Sequence, residues 1–238
     1  MKAVTAQPNI AAAAALFGDP ARAAMLIALL DRPVLSASEL ALVANISPQT
    51  ATYHLAKLTS AALLQETRRG RSHMYRLAGP AVASAIESLA AVSPGVAAEP
   101  RNTDASHSDR MRQLRAARTC YDHLAGAAGV LLHDCLLARG YLEPKDSKEY
   151  ILTARGHKWF SRMGGPGHLL HGRSPFARRC LDWSEQRPHL AGRLAALLLE
   201  RFLAERWIAR IPDTRAVRIT DRGRGELERQ YGVVLRRA

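Results

Sequence analysis

The sequence predicts a mainly α protein with small β wings, an α+β fold divided into two domains. Apolar residues recur at helical spacing along most of the 238 residues, and short segments of alternating polarity flank glycine-containing turns. Residues 93–107 are rich in Pro, Gly, Ser, Asn and Asp and have almost nothing apolar to bury, as is typical of a linker. We therefore expect one domain at residues 1–92 and a second at residues 108–238.

The first domain is predicted to contain helices, a hairpin and one further helix. Asp19-Pro20 and Ser47-Pro48 each place an N-cap residue before a proline at the first helical position, so a helix is expected to begin at each. A short helix around residues 39–44 is expected to precede the second of these. The last helix of the domain is expected over residues 80–92.

The helix that begins at Pro48 has one apolar and one polar face. Ala51, Leu55 and Leu58 are spaced to face the core, which leaves short polar side chains on the opposite side. A hairpin with a basic turn is expected to follow this helix. The polar residues that we single out on the outer helix face and at the hairpin tip are Ser47, Gln49, Thr50, Thr52, Tyr53, His54, Lys57, Arg68, Arg69 and Arg71.

The run from Ser36 to Leu77 resembles the helix-turn-helix and wing of the ArsR/SmtB family of bacterial transcription regulators. The resemblance covers about a third of the chain and rests on a turn at Ile46-Ser47, the segment Tyr53-His54-Leu55 in the next helix, and the hairpin tip Arg69-Gly70-Arg71. It implies a winged helix-turn-helix domain that binds double-stranded DNA as a homodimer and regulates transcription, more often as a repressor.

The chemistry of these residues agrees with that implication. An α-helix fits the major groove of duplex DNA, and its N-terminus adds free backbone donors and the positive end of the helix dipole. Arginines at a hairpin tip are suited to phosphates or to an adjacent minor groove. We therefore expect the ten residues named above to contact DNA, and the apolar segments Ile10–Phe17 and Val82–Leu89 to support the dimer.

The charge balance of the chain favours an anionic partner. Lys and Arg number 34 against 21 Asp and Glu, which gives a formal net charge of +13, and most of the excess follows residue 92. This composition suits nucleic acid but does not by itself indicate sequence specificity. A non-specific nucleic-acid-binding or chromatin-structuring protein therefore stays open as an alternative to a regulator.

The second domain contains a weak internal repeat. Residues 131–160 and 197–227 each contain a leucine-rich helix, an aromatic-aliphatic pair, a polar turn, a short β-like segment and the start of another helix. The pattern predicts two winged-helix-like halves, preceded by a helix over residues 109–124. The residues that match between the repeats are Thr153 with Thr220, Arg155 with Arg222 and Gly156 with Gly223.

We expect the second domain to bind a small-molecule effector. Regulators of the family that the chain resembles often bind metal through Cys or His near the recognition helix or on the last helix of the domain, and the corresponding segments 36–45 and 80–92 carry neither residue type. Aromatic side chains combined with a few polar groups are typical of sites for organic ligands. The residues that we expect in this effector site are Cys120, Tyr121, His123, Trp159 and Trp183.

The cysteines allow two interpretations. Cys120 and His123 lie three residues apart on the expected helix, so they share a face and could bind one soft ion, as part of a metal or thiol-redox sensor that Cys180 and His189 would complete. Alternatively, Cys120 and Cys135 are small core residues, because free cysteine is among the most buried residue types. No complete ligand spacing is present, so the second interpretation is favoured and neither a metal nor a cofactor is expected.

Several classes of protein are not expected from this sequence. It contains no nucleophile elbow, no zinc-protease motif and no nucleotide-binding fingerprint, so we expect no enzymatic activity. It contains no uncharged apolar run long enough to span a membrane and no signal peptide, so a cytoplasmic location is expected.

Overall fold

A computed structural model of the chain describes residues 9–93, 105–172 and 174–235, except for the side chains of residues 105–108. Its internal contacts divide it into two units, with the division between Val82 and Ala83. This point precedes the expected boundary at residue 92, because Glu87, within the helix that spans the division, is buried and paired with Arg215 in the second unit. The domain and linker bounds expected from the sequence stay predictions, and residues 94–104 of the linker lie outside the described residues.

The first unit consists of helices and a three-stranded antiparallel sheet of order β1-β3-β2. The N-cap residues Asp19 and Ser47 accept hydrogen bonds from the backbone three residues further on, as the sequence predicted. Strand β1 was not expected. The elements are α1 (Ile10–Phe17), α2 (Pro20–Asp31), β1 (Leu35–Ser36), α3 (Ala37–Val43), α4 (Pro48–Ser60), β2 (Leu64–Arg69), β3 (Ser72–Leu77) and α5 (Pro80–Val92), the last of which continues into the second unit.

The core of the first unit lies between α2, α3, α4 and the sheet. The inward face of α4 is the one expected from its apolar spacing, since Ala51, Leu55 and Leu58 are fully buried. They pack with buried residues of the neighbouring elements, which are Met25, Leu26, Leu29, Leu35, Leu40 and Leu64. This packing fixes α4 so that its opposite face lies at the surface.

The second unit has more β structure than the sequence indicated. The expected helix over residues 109–124 is wrong in its second half, because Tyr121 adopts a left-handed conformation (φ +60°) in a tight turn between two strands. The elements are α6 (Ala105–Ala116), β4 (Arg118–Cys120), β5 (His123–Ala125), α7 (Gly126–Ala138), β6 (Leu142–Pro144), β7 (Glu149–Leu152), α8 (Ala154–Arg162), β8 (Ala177–Leu181), β9 (Pro188–Ala191), α9 (Arg193–Ala204), β10 (Ile208–Arg210), β11 (Val217–Ile219) and α10 (Asp221–Tyr231), with a short 3-10 helix at Gly167–Leu170.

The internal repeat is present in the structure and is longer than the sequence suggested. Each half is a hairpin, a helix, a second hairpin and a second helix: β4-β5-α7-β6-β7-α8, then β8-β9-α9-β10-β11-α10. Thr153 and Thr220 cap the last helix of each half, and each accepts a hydrogen bond from a glycine amide at 2.9 Å. That each half is a true winged helix stays a prediction.

The two halves exchange equivalent strand contacts. Strand β7 of the first half pairs with β8 of the second, with Glu149 opposite Arg178, which joins the four-stranded sheet β6-β7-β8-β9. In the reverse direction, Arg118 of β4 forms a bridge with Ala216 beside β11. Because these two contacts join matching positions of the repeat, the halves hold each other reciprocally around one apolar core.

Among the described residues, no single helix is long and apolar enough to cross a bilayer. Helices α1 and α2 reach the required length and apolarity only as a pair, across a bend of 80°.

Candidate functional site

The N-terminus of α4 is held by a short polar cap. The Ser47 hydroxyl accepts a hydrogen bond from the Thr50 amide at 3.2 Å, and the two hydroxyl groups lie 2.9 Å apart. Asn45, in the turn from α3, adopts a left-handed conformation (φ 51°) that asparagine tolerates better than most residues. The first turn of α4 therefore presents its free backbone amides and the positive end of its dipole to solvent.

The outer face of α4 is polar and exposed. Tyr53 is 57% exposed, and the Lys57 ammonium lies 4.4 Å from the centre of its ring. The Thr52 hydroxyl donates to the Pro48 carbonyl at 2.9 Å, so its methyl group and oxygen lie along the helix surface. The predicted residues that the structure places on this exposed face are Ser47, Gln49, Thr50, Thr52, Tyr53 and Lys57.

His54 does not belong to this face, which corrects the expectation from the sequence. It is 8% exposed, and Arg22 Nη1 donates to its Nδ1 at 3.2 Å. Arg22 also donates to backbone carbonyls at the end of α1, which fixes the position of the pair. The signal for burial was present in the sequence, since residue 54 lies three after Ala51 and four before Leu58 on the inward stripe.

Asp19, the cap of α2, lies beside the same buried pair. Its pKa is lowered, first by the hydrogen bond from the Arg22 amide at 2.9 Å and then, against the effect of burial, by the nearby guanidinium. The carboxylate therefore stays charged and caps the N-terminus of α2, where the positive end of the helix dipole also favours it.

The hairpin of β2 and β3 carries the arginines singled out from the sequence. Arg69 pairs across the strands with Ser72, and Gly70 takes the left-handed conformation (φ +62°) that the tight tip requires. Arg68, Arg69 and Arg71 are exposed, and within the described part of the chain no carboxylate pairs with them. An unneutralised basic tip beside a polar helix can contact two neighbouring stretches of an anionic duplex.

The residues expected in an effector site separate into different surroundings. Tyr121 is 46% exposed in the β4–β5 turn, Trp159 stacks on Tyr141 within the apolar core at 4.9 Å, and the Trp183 ring lies 4.5 Å from the Arg118 guanidinium. Cys120 and His123 are buried on facing strands of one hairpin. The five residues therefore do not line a shared pocket, because the expected helix that was to carry three of them is a hairpin.

Cys120 and His123 instead meet Cys180 and His189. All four side chains are buried, and their ligand atoms lie within 4.8 Å of one another. Contact with Cys120 and hydrogen bonds from His123 and His189 lower the pKa of Cys180, whereas the same contact and burial raise the pKa of Cys120. The cluster therefore favours a thiolate on Cys180.

Asp182 lies behind His189 and is ion-paired with the fully buried Arg118 at 2.9 Å. Burial alone would raise the pKa of Asp182, but its contacts with His189 and Arg118 hold it well below its usual range. The pKa of His189 is in turn raised against the effect of burial, chiefly by its contacts with Asp182 and Cys180. Sequence reasoning noticed the four Cys and His residues as an alternative but missed Asp182 and Arg118.

Comparison with known proteins places the chain next to DNA-binding regulators. Residues 17–67 match the family model described as "Helix-turn-helix domain". The chain is 41% identical over 227 residues to the Bacillus subtilis (strain 168) protein called "Uncharacterized HTH-type transcriptional regulator YdfF", a match that covers 95% of this chain and 98% of that protein. The likeness therefore extends over both units.

Three solved structures resemble a part of the chain. Reduced HlyU from Vibrio cholerae N16961 is 24% identical, with a TM-score of 0.31, over 34% of this chain and 83% of its own. The transcriptional repressor BigR from Xylella fastidiosa is 24% identical, with a TM-score of 0.31, over 34% and 81%. The cadmium metal-sensor CMTR from Mycobacterium tuberculosis is 29% identical, with a TM-score of 0.30, over 37% and 99%.

Proposed function

The chain belongs to the family of helix-turn-helix transcriptional regulators, and from this premise we propose that it binds specific duplex DNA sites as a homodimer and is released from them by an effector bound in residues 108–238. The observation that carries the proposal is the exposed polar face of α4 next to an arginine-tipped hairpin. Repression, rather than activation, is the expected outcome of binding, because a dimer seated on a promoter excludes other proteins from it.

Helix α4 is the element that reads bases in this proposal. Gln49 lies in its first turn, where a major-groove helix approaches base edges most closely, and Thr52 and Tyr53 continue the same exposed stripe. A glutamine side chain can pair with adenine through two hydrogen bonds, which is worth about 1–3 kcal/mol of discrimination. Ser47 and Thr50 hold one another at the cap and present hydroxyl groups to the nearest phosphate.

The hairpin supplies affinity rather than specificity. Among the described residues, no carboxylate forms an ion pair with Arg68, Arg69 or Arg71, so their charge is available to phosphates. Each cation that neutralises a phosphate releases counterions, which makes binding weaker as salt rises.

The proposed dimer uses α1. This helix consists only of Ile, Ala, Leu and Phe, and none of its residues is buried within the chain. An apolar helix of this kind is stabilised when a second copy covers it. In α5, the second segment expected at the dimer interface, Ile86 is already buried within the chain while Leu89 is 44% exposed, so α5 contributes less.

Helix α5 offers a route between an effector and the DNA-binding unit. It begins at Pro80 in the first unit, and its buried Glu87 is paired with Arg215 in the second. The Arg215 carbonyl accepts a hydrogen bond from Thr119 at 2.8 Å, next to Cys120 in β4. An effector that shifts β4 would bias α5, and couplings of this type are typically about 1–3 kcal/mol.

Paired substitutions in α4 test base reading. Sites are first selected from a pool of randomised duplexes by the full chain, and affinity is then measured on a selected site and on random DNA. Gln49→Ala is expected to lose about tenfold or more on the selected site and little on random DNA. Ser60→Ala, at the exposed far end of the same helix, is the matched control and should change neither. Equal losses of affinity for the selected site and for random DNA would show that α4 does not read bases through Gln49.

A parallel pair tests the hairpin. Arg69→Ala should weaken binding to both duplexes by a similar factor, because phosphates are common to all sequences. Arg76→Ala is the control, because Arg76 is exposed at the base of the hairpin, about 14 Å along the strand from the Arg69 pair. If no duplex is selected over random DNA at all, the chain is instead a non-specific nucleic-acid-binding protein, the alternative that its charge supports.

A further inference from the structure

We propose that Cys120, His123, Cys180 and His189 bind one Zn²⁺ ion in a closed tetrahedral site that joins the two halves of the second unit. The four residues belong to two hairpins, and each hairpin contributes one cysteine and one histidine. The proposal is independent of DNA binding and rests on the positions of these side chains.

The strand register places the four residues on adjoining faces. Cys120 is the cross-strand partner of His123, and Cys180 is the cross-strand partner of His189. Side chains of directly opposed residues project from the same face of a hairpin, so each hairpin presents one sulfur and one imidazole together. The Sγ atoms of the two cysteines lie 4.0 Å apart, and the Nε2 atoms of the two histidines lie 3.1 Å apart.

These separations agree with a zinc tetrahedron. Bonds of about 2.3 Å to sulfur and about 2.0 Å to nitrogen give tetrahedral edges of about 3.8 Å between two sulfurs and about 3.3 Å between two nitrogens. The observed separations differ from these edges by a few tenths of an ångström. They do not fit a disulfide, whose sulfurs lie about 2.05 Å apart, and both cysteines are free.

The outer nitrogen of each histidine faces a carboxylate. His123 Nδ1 lies 2.9 Å from Asp122 Oδ1, and His189 Nδ1 lies 3.1 Å from Asp182 Oδ2. A carboxylate in this position holds the proton on Nδ1 and leaves Nε2 as the ligand, which is the usual arrangement behind metal-bound histidine. Both Nε2 atoms here point into the cluster, towards one another.

The repeat duplicates the whole arrangement. The first half contains Cys120-Tyr-Asp122 and His-Leu-Ala-Gly126, and the second contains Cys180-Leu-Asp182 and His-Leu-Ala-Gly192. Both glycines have positive φ (74° and 92°), and a Cβ on either would lie within 3 Å of a backbone carbonyl. Each half thus supplies one thiol, one imidazole, one carboxylate and the glycine that follows the strand. Packing between the hairpins would require only small apolar side chains at these positions, so packing does not explain the repeated polar residues.

The chemistry of the set selects zinc in a structural role. Two thiolates and two neutral imidazoles are the S₂N₂ combination typical of tetrahedral Zn²⁺, and two thiolates balance the charge of the ion. Binding releases the protons that remain on the four ligand side chains. All four ligands are buried, so the site has no open position for a substrate, and the ion would tie β4-β5 to β8-β9.

The first test measures metal content of the full chain, purified with reductant and without chelator. One Zn²⁺ per chain is expected by elemental mass spectrometry. Cys180→Ser and His189→Gln should lower this content at least tenfold, whereas Cys135→Ser, which changes a cysteine outside the cluster, should leave it unchanged. Equal zinc content in Cys180→Ser and the wild type would overturn the proposed ligand set.

A second measurement does not depend on the folding of variants. The wild-type chain is stripped with chelator under reducing conditions and titrated with Co²⁺ and then Zn²⁺. We expect tetrahedral cobalt absorption with thiolate charge-transfer bands, its loss on adding zinc, and a melting temperature that rises with metal. A reduced chain that binds neither ion, or whose melting temperature is the same with and without chelator, would overturn the proposal, as would a Cys120–Cys180 disulfide in the freshly purified protein.

Discussion

At the scale of single residues, burial separates side chains that look alike in the sequence. Tyr53 and His54 are neighbours on α4, yet Tyr53 lies at the surface and His54 lies in the core with Arg22. An arginine in a core needs several acceptors, and the carbonyl groups at the end of α1 provide them. His54 therefore acts on the stability of the first unit rather than as a contact to DNA.

His54→Ala is expected to lower the free energy of unfolding of the first unit by about 1–3 kcal/mol, because it leaves a cavity and removes an acceptor from Arg22. Amide hydrogen exchange in α2 and α4 measures this change. Thr52→Ala changes an exposed residue of the same helix. It should alter the free energy of unfolding by only a few tenths of that amount while weakening binding to selected DNA. The interpretation fails if His54→Ala leaves exchange unchanged and alters DNA selectivity.

A second prediction at this scale concerns Asp122, which contacts His123 from a half-exposed position. If the histidine is a zinc ligand, Asp122→Asn should weaken zinc affinity about tenfold or more while the chain stays folded. Competition with a chromogenic chelator measures the affinity. The matched control is Asp134→Asn, which changes a carboxylate beside His133, outside the cluster; identical affinities in the two variants would contradict the assignment.

At the scale of elements, local signals predicted helix starts well and long-range pairing poorly. The Ser-Pro and Asp-Pro signals lie within a few residues of the helices that they start, so α2 and α4 were predicted closely. The prediction of a helix at residues 118–125 is wrong, because the apolar spacing there fits a helix as well as a hairpin. The hydrogen bond that distinguishes the two joins the Thr119 amide to the Arg215 carbonyl, which is remote in the sequence. The two Cys-His pairs are also far apart in the sequence, so their contact could not be predicted from local patterns.

Helix α3 illustrates a local signal with a measurable pH dependence. Glu39 accepts hydrogen bonds from the Ser36 amide and hydroxyl, both at 2.8 Å, and its pKa is lowered first by the amide bond, then by the hydroxyl and Arg32. A depressed pKa means that the carboxylate stabilises the folded state above the ordinary value of 4.5 and loses this effect as pH falls through the folded value.

The wild type should therefore lose its stability advantage over Glu39→Gln as pH falls from about 5 towards about 3. The advantage is modest, since the carboxyl group is partly exposed. Hydrogen exchange of the α3 amides in the two proteins, measured across this range, gives the difference directly. A difference that stays constant with pH would show that the charge of Glu39 does not stabilise α3.

At the scale of the whole molecule, the question is where the net charge of +13 acts. Several arginines of the second unit are already paired with carboxylates, as Arg118 is with Asp182, Arg187 with Asp134 and Arg222 with Glu205. The tip arginines of the first unit have no such partners in the described chain. We therefore expect phosphate binding to concentrate on the hairpin, although the second unit carries more of the charge.

The salt dependence of DNA binding by the full chain tests this expectation. Arg69→Ala should reduce the slope of log K against log salt by about 1, the amount expected for one phosphate contact. Arg222→Ala removes an equal charge from the second unit and should leave the slope as it is. A reduced slope for Arg222→Ala with no change for Arg69→Ala would reverse the assignment.

The reciprocal strand contacts of the second unit have a consequence for synthesis on the ribosome. A nascent chain that has emerged only as far as α8 holds β7 without β8, and β4 without the segment at Ala216. Until the second half has been translated, the edges of β4 and β7 in the first half remain unpaired. In that interval they can pair with the matching strands of a neighbouring nascent chain. Polysomes translating this message are therefore places where swapped dimers can arise.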